Sequence, residues 1–182
     1  MIKCLSRQCD TCSEERKFWT VVGDLLGAGR QVRFNPVGTS MGPFIRQGDT
    51  VTVCPCSPRD LAFGDIVLFA AGREMYRVHR IVERFRVDGR PLFVTRGDAC
   101  QDTDAPIKPE DILGKVSAVT KGRWTLDLDK SWGKAINLAW AHFQRWPVSI
   151  GMLRAVGKLM KSLIGLCGLS GLFSLFWGET KP

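Results

Sequence analysis

Residues 76–87 read YRVHRIVERFRV, and the pair Asp88-Gly89 follows them directly. Apolar and polar residues alternate along much of this stretch, which is the two-residue period of a β-strand with one buried face. Asp-Gly is a favoured two-residue turn between antiparallel strands. The stretch therefore predicts one long strand of an antiparallel hairpin.

Shorter runs of the same kind lie on both sides of this strand, with turn residues between them. Lys121-Gly122 is a second hairpin-turn signal. The other predicted strands span residues 51–53, 66–69, 92–95, 114–120 and 123–128. Residues 31–130 are therefore predicted to form a compact, mainly antiparallel β domain.

Helical patterns flank this β domain, and 182 residues suffice for one domain with appendages. Apolar residues recur at helical spacing in residues 14–27, which predicts a short amphipathic helix within an N-terminal segment of residues 1–30. Residues 131–182 form a C-terminal tail that is aromatic and basic at first and ends in an uncharged stretch. We expect this tail to be helical and apolar.

One serine and one histidine of the β domain are suited to nucleophilic catalysis. Ser40 lies in the sequence GTSMGP, where glycines permit tight turns and proline restricts the backbone, so a rigid bend can present its hydroxyl. A serine becomes a nucleophile when a neighbouring base accepts its proton. His79 lies on the long predicted strand, which holds a side chain more firmly than a loop. Each residue alone is commonly structural, but their ordered combination with Gly97-Asp98 favours catalysis.

Five stretches in this order resemble the type I signal peptidases, specifically the endoplasmic-reticulum and archaeal kind that use histidine where most bacterial enzymes use lysine. The stretches are GTSMGPFIRQGD at 38–49, LAFGDIVLF at 61–69, YRVHRIV at 76–82, TRGDACQDTD at 95–104 and DILGKVSAV at 111–119. Together they cover most of the β domain. The resemblance implies the β-rich fold that these peptidases share with the SOS-repressor proteases.

The resemblance also implies roles for four residues. The family's nucleophilic serine falls on Ser40, its histidine base on His79, and its two aspartates on Asp98 and Asp104. Either aspartate can orient the imidazole as the third member of a triad. Asp104 is favoured, because an aspartate directly after a glycine is the more common turn former. The other aspartate is expected to hold its own loop through backbone N–H groups.

Two features depart from the family pattern. Many members carry a hydroxyl residue two positions before the nucleophile, and here that residue is Gly38, so we expect the oxyanion hole to use the Ser40 N–H and one other donor. Losing one such donor typically costs about 2.7–4 kcal/mol of transition-state stabilisation. Members also have an N-terminal membrane anchor, whereas residues 1–34 carry too many charges for one.

The net charge of +8 indicates an anionic partner, and its distribution favours a membrane over nucleic acid. The tail holds six lysines and arginines against one glutamate, including Arg154, Lys158 and Lys161 on one helical face. The uncharged residues 162–178 are near the lower length limit for spanning a bilayer. The tail is therefore predicted to lie on or dip into an anionic membrane, on its cytoplasmic side. The alternative is a soluble cytoplasmic protein whose tail completes the core.

Cysteine usage does not indicate a disulfide framework, because the count of seven is odd and no secretory signal is recognisable. Cys4, Cys9 and Cys12 are close enough in sequence to bind zinc, but no fourth ligand is obvious. No phosphate-binding glycine loop and no histidine cluster is visible. The sequence therefore predicts no cofactor.

The predicted function is a serine endopeptidase that cleaves a leader, signal or precursor peptide through Ser40 and His79. Its substrate is expected to lie extended beside residues 34–38 or 76–79. The resemblance implies small side chains next to the scissile bond, and His142 should be dispensable. Two alternatives stay open. One is a regulatory autoprotease like the SOS repressors, and the other is a catalytically silent peptide-binding module of the same fold.

Overall fold

A computed structural model describes residues 6–72 and 75–144, with side chains described from residue 17 onward. Helix α1 spans Ser6–Gly27 and helix α2 spans Ser131–Phe143, and a short 3₁₀ turn lies at Pro109–Asp111. The strands are β1 (Val32–Phe34), β2 (Thr50–Cys54), β3 (Ile66–Ala70), β4 (Tyr76–Val87), β5 (Arg90–Arg96), β6 (Ile112–Lys121) and β7 (Trp124–Asp127). The fold is mainly β, as the sequence predicts.

These strands form one antiparallel sheet in the order β1-β2-β6-β3-β4-β5, and β7 pairs with β6. The β4–β5 hairpin turns at Asp88-Gly89, and both residues have the positive φ that the favoured two-residue loops require. The β6–β7 hairpin turns at Gly122-Arg123, one residue later than predicted. Strand β1 has only three residues, too few for an alternating pattern to reveal it.

Helix α1 rests on the sheet through a narrow apolar row. Val22 and Leu26 are 2% and 3% exposed and belong to the larger of two hydrophobic clusters. The neighbouring row of the same helix remains exposed and consists of Phe18, Val21 and Leu25. The predicted helix is therefore present, but it begins at residue 6 rather than 14, and only part of its apolar face is buried.

Helix α2 belongs to the same core. Ala141 and the amide side chain of Asn137 are buried, and Trp140 packs against the larger cluster. A Cβ atom at Gly133 would lie 1.8 Å from the carbonyl oxygen of Asp127, so only glycine allows this approach of α2 to β7. Helix α2, which belongs to the predicted C-terminal tail, thus packs against the core of the β domain.

Within residues 6–72 and 75–144, no helix has both the length and the apolar character needed to cross a bilayer. Residues 145–182 lie outside the described part of the chain, so the predictions made for the basic helix and for the uncharged stretch 162–178 stay predictions.

Candidate functional site

Ser40, His79 and Asp104 lie in one hydrogen-bonded row. The Ser40 Oγ atom is 3.0 Å from Nε2 of His79, and Nδ1 of His79 is 2.6 Å from Oδ2 of Asp104. A carboxylate can only accept, so Nδ1 carries the hydrogen and Nε2 is left to accept the Ser40 hydroxyl hydrogen. The imidazole is 6% exposed, which shields these bonds from water. The row has the order and the tautomer in which a histidine can take a proton from a serine.

Three different parts of the fold bring this row together. Ser40 lies in the connection between β1 and β2, and His79 lies on β4, where it pairs with Val67 of β3. Asp104 follows β5, and its backbone N–H donates to the carbonyl oxygen of Thr95 at 2.8 Å. The sheet therefore fixes the histidine, whereas two loops carry the serine and the acid.

A close backbone approach sets the serine loop against the loop of residues 97–104. The Ala99 N–H donates to the Ser40 carbonyl oxygen at 2.7 Å. A Cβ atom at Gly97 would lie 2.7 Å from that same oxygen and 3.0 Å from the Ser40 Cβ atom. Residue 97 must therefore be glycine for the two loops to meet in this way.

The Asp104 carboxylate accepts from three side chains. Besides His79, the Thr95 hydroxyl donates to Oδ2 at 2.8 Å and Nη1 of Arg77 donates to Oδ1 at 2.7 Å. Burial by itself raises the pKa of Asp104, but the hydrogen bonds from His79 and Thr95, the charge on His79 and the Arg77 bond bring it below its ordinary value. Asp104 is therefore ionised across the pH range in which a histidine changes protonation.

Asp98 binds Arg80 instead of His79, which corrects its sequence-based assignment as a possible triad acid. Its Oδ1 accepts from Nε of Arg80 at 2.8 Å, and its Oδ2 accepts from Nη2 at 2.7 Å. The indole of Trp140 donates to Oδ2 at 3.0 Å. Both carboxylate oxygens are thus occupied away from the imidazole. The expected loop-holding role through backbone N–H groups is also wrong, because these donors are side chains.

The Arg80–Asp98 pair is the centre of a buried polar network that includes α2. Nη1 of Arg80 donates to the Gly64 carbonyl oxygen at 2.9 Å and also to Oδ1 of Asn137. The amide of Asn137 donates to the same Gly64 oxygen at 2.9 Å. The network therefore connects the residue after His79 to helix α2.

A groove of about 990 Å³ passes the exposed side of the row. Residues 34–38, 75–79 and 100–104 line it together with Ser40. Trp19 of α1 stacks on Tyr76 at 4.8 Å between ring centres and meets Phe34 edge-on at 5.4 Å, so aromatic rings form part of the lining. The volume of the groove lies in the range of ligand-binding clefts.

The remaining candidate residues lie elsewhere or are undescribed. His142 is on α2, where its ring is 5.0 Å from that of Phe63. Among the side chains that the structure describes, those of residues 17–72 and 75–144, no group of three or more histidines, cysteines, aspartates or glutamates could hold a metal ion. Cys4 and the side chains of Cys9 and Cys12 lie outside what the structure describes, so the zinc hypothesis stays untested.

Sequence reasoning did not single out Arg77 or Thr95 as partners of Asp104. For Arg77 a signal was available, because it precedes His79 by two residues on a strand and so shares its face. For Thr95 no such signal exists, because its contact depends on the path of the loop after β5. The contribution of α2 was likewise not predictable, because Asn137 is 57 residues from Arg80 in the chain.

Comparison with models of known protein families and with curated proteins gave no match.

Proposed function

We propose that this protein is a serine endopeptidase that resembles the type I signal peptidases and cleaves a leader, signal or precursor peptide. The observation that carries the proposal is the row from Ser40 through His79 to Asp104, with its two hydrogen bonds of 3.0 and 2.6 Å. The five ordered sequence stretches are a second line of support, because they contain a serine, a histidine and an aspartate in the order of the family's motifs. The same resemblance supports the signal peptidase type of fold.

In the proposed reaction, Ser40 Oγ attacks the scissile carbonyl carbon while Nε2 of His79 accepts the hydroxyl proton. The imidazolium then gives this proton to the departing amine, and water releases the acyl group from the serine in a second round. Asp104 stays ionised throughout and stabilises the charged imidazole. The Ser40 backbone N–H is one donor to the oxyanion, and one other donor completes the oxyanion hole.

The groove favours a peptide in extended conformation. Residues 76–79 pair with β3 along one edge, whereas the pairing of β4 with β5 begins only at Arg80. The other edge of residues 76–79 can therefore offer main-chain hydrogen bonds to a substrate strand. Small side chains next to the cut are what the family resemblance implies.

An active-site probe tests the proposal directly. A fluorophosphonate should label the parent protein, and Ser40→Ala should abolish labelling, because the probe forms its bond with an activated serine. His79→Ala should reduce labelling strongly, whereas His142→Ala and Ser57→Ala should leave it unchanged. Labelling that persists in Ser40→Ala would contradict the assignment. Peptide binding without labelling or turnover would favour the silent binding module.

We also propose that residues 145–182 bind an anionic membrane. A chain that ends at residue 144 keeps α2 and should stay folded, with the Ser40 site intact. The full chain should sediment with anionic vesicles, and salt should weaken this binding without abolishing it, because salt screens the basic residues but not the apolar stretch. If both proteins ignore the vesicles, or if the shortened one unfolds, the tail belongs to the core and the membrane proposal fails.

A further inference from the structure

Arg77 and His79 hold the same carboxylate from the same face of one strand. They are two residues apart on β4, so their side chains leave the sheet on the same side. Nη1 of Arg77 binds Oδ1 of Asp104 at 2.7 Å, while Nδ1 of His79 binds Oδ2 at 2.6 Å. Each oxygen of the carboxylate thus has its own partner on β4.

This arrangement restricts the rotation of the Asp104 carboxylate. Without Arg77, the carboxylate would have donors on Oδ2 alone, namely His79 and Thr95. It could then turn about its Cβ–Cγ bond and still keep one oxygen near either donor. The bond from Arg77 to Oδ1 fixes the plane of the carboxylate and with it the direction of the bond to His79. A charge-assisted bond of this length is among the stronger hydrogen bonds in proteins.

The guanidinium also adds a positive charge one carboxylate away from the imidazole. Its side chain is 42% exposed and lines the groove, so water screens part of this charge. The other charged or titratable side chains along the groove are those of Arg46, Tyr76, Cys100 and Asp102, and Arg80 and Asp98 neutralise each other next to the row. Arg77 is therefore the cation that directly contacts the acid of the row.

We propose that Arg77 is a positioning residue of the proposed hydrolytic site. It acts through Asp104 on His79, and it does not contact the reacting atoms. Its bond keeps the Asp104 carboxylate aligned with Nδ1 of His79, so that Nε2 faces the Ser40 hydroxyl. This inference rests on the proposed endopeptidase function.

The test compares Arg77→Met, Arg77→Lys and the parent protein in peptide cleavage. Arg77→Met should lower kcat about tenfold with KM unchanged, because the Asp104 carboxylate loses the bond that aligns it with the imidazole. Arg77→Lys should restore part of this loss, because an ammonium group can still donate to the carboxylate. Arg86→Met, an exposed arginine further along β4, removes the same net charge and should match the parent.

A second measurement does not depend on turnover. The Nδ1 proton of His79 should give a downfield proton NMR signal in the parent, assigned by its absence in His79→Ala. The signal should weaken or broaden in Arg77→Met and persist in Arg86→Met. An unchanged signal together with an unchanged kcat would overturn the proposal, and so would a rise in KM alone, which would make Arg77 a substrate contact. A failure of the proposed function would look different from these outcomes, because the parent protein itself would then show no turnover and no fluorophosphonate labelling.

Discussion

Replacing Asp98 by asparagine tests whether this aspartate stabilises the fold or takes part in catalysis. The side chains of Asp98 and Arg80 are each 1% exposed, and two hydrogen bonds of 2.7 and 2.8 Å join them. Asparagine keeps the shape of the aspartate and removes its charge. The variant therefore leaves the Arg80 guanidinium in the core without its counter-ion.

The expected loss of stability follows from this geometry. Removing one partner of a buried ion pair typically costs about 3–5 kcal/mol, because the remaining charge stays buried without compensation. A domain of this kind has a total unfolding free energy of about 5–15 kcal/mol. With a urea m value of about 2 kcal/mol/M, the unfolding midpoint of Asp98→Asn should fall by roughly 1.5–2.5 M.

Urea unfolding followed by circular dichroism measures this effect. Asp102 is exposed in the same loop, so Asp102→Asn is the matched control and should stay within about 0.5 kcal/mol of the parent. The double variant Arg80→Met/Asp98→Asn should be more stable than Asp98→Asn alone, because it also removes the uncompensated charge.

The opposite result would refute this reasoning. If Asp98→Asn unfolds like the parent but loses peptide cleavage, Asp98 acts on the chemistry and the structural assignment fails. Asp104→Asn should show the reverse behaviour. It should keep a cooperative fold while losing roughly 10⁴-fold in turnover, because an amide favours the wrong imidazole tautomer.

Three further predictions concern single residues. Gly97→Ala should abolish fluorophosphonate labelling because its Cβ atom collides with the serine loop, whereas Gly27→Ala, with no atom within 4 Å, should label normally. The pKa of Asp104 is lower in the folded protein than its unfolded value of roughly 3.9, so the ionised carboxylate stabilises the fold above that pH. This contribution is lost as the pH falls through the folded pKa, and the urea midpoint should therefore decline on acidification. In Asp104→Asn the decline should be smaller. Iodoacetamide should modify the exposed Cys100 faster than Cys56, because burial raises the pKa of the Cys56 thiol. Mass spectrometry of peptides measures both rates, and equal rates would contradict this prediction.

The sheet was largely predictable because its signals are local. Strand β4 has the predicted bounds, since apolar and polar residues alternate along much of it and a recognisable turn ends it. The start of α1 and the strand β1 were not predictable. Residues 6–13 are polar and carry no apolar period, and β1 depends on its pairing with β2.

Site residues were predictable from the sequence only where they stand in motifs that follow one another in a recognisable order along the chain. Ser40, His79 and Asp104 each stand in one of an ordered set of sequence motifs, and this order made them candidates. The choice between Asp104 and Asp98 required the structure, because a buried ion pair leaves no local pattern. From the sequence, Arg80 would be expected to be solvent-exposed, since charged side chains are seldom buried unless they are paired. Arg80 is buried because Asp98 and α2 supply its partners.

The loop of residues 97–104 explains why the motif Gly97-Asp98 and the later Asp104 occur as one ordered unit. Gly97 lies against the backbone of Ser40, and Asp104 binds the imidazole of His79. Between them, Asp98 holds the arginine that follows the histidine on β4. One short loop therefore contacts the serine loop, the histidine strand and the imidazole itself. A displacement of this loop would misalign all three members of the row while leaving the sheet pairing unchanged.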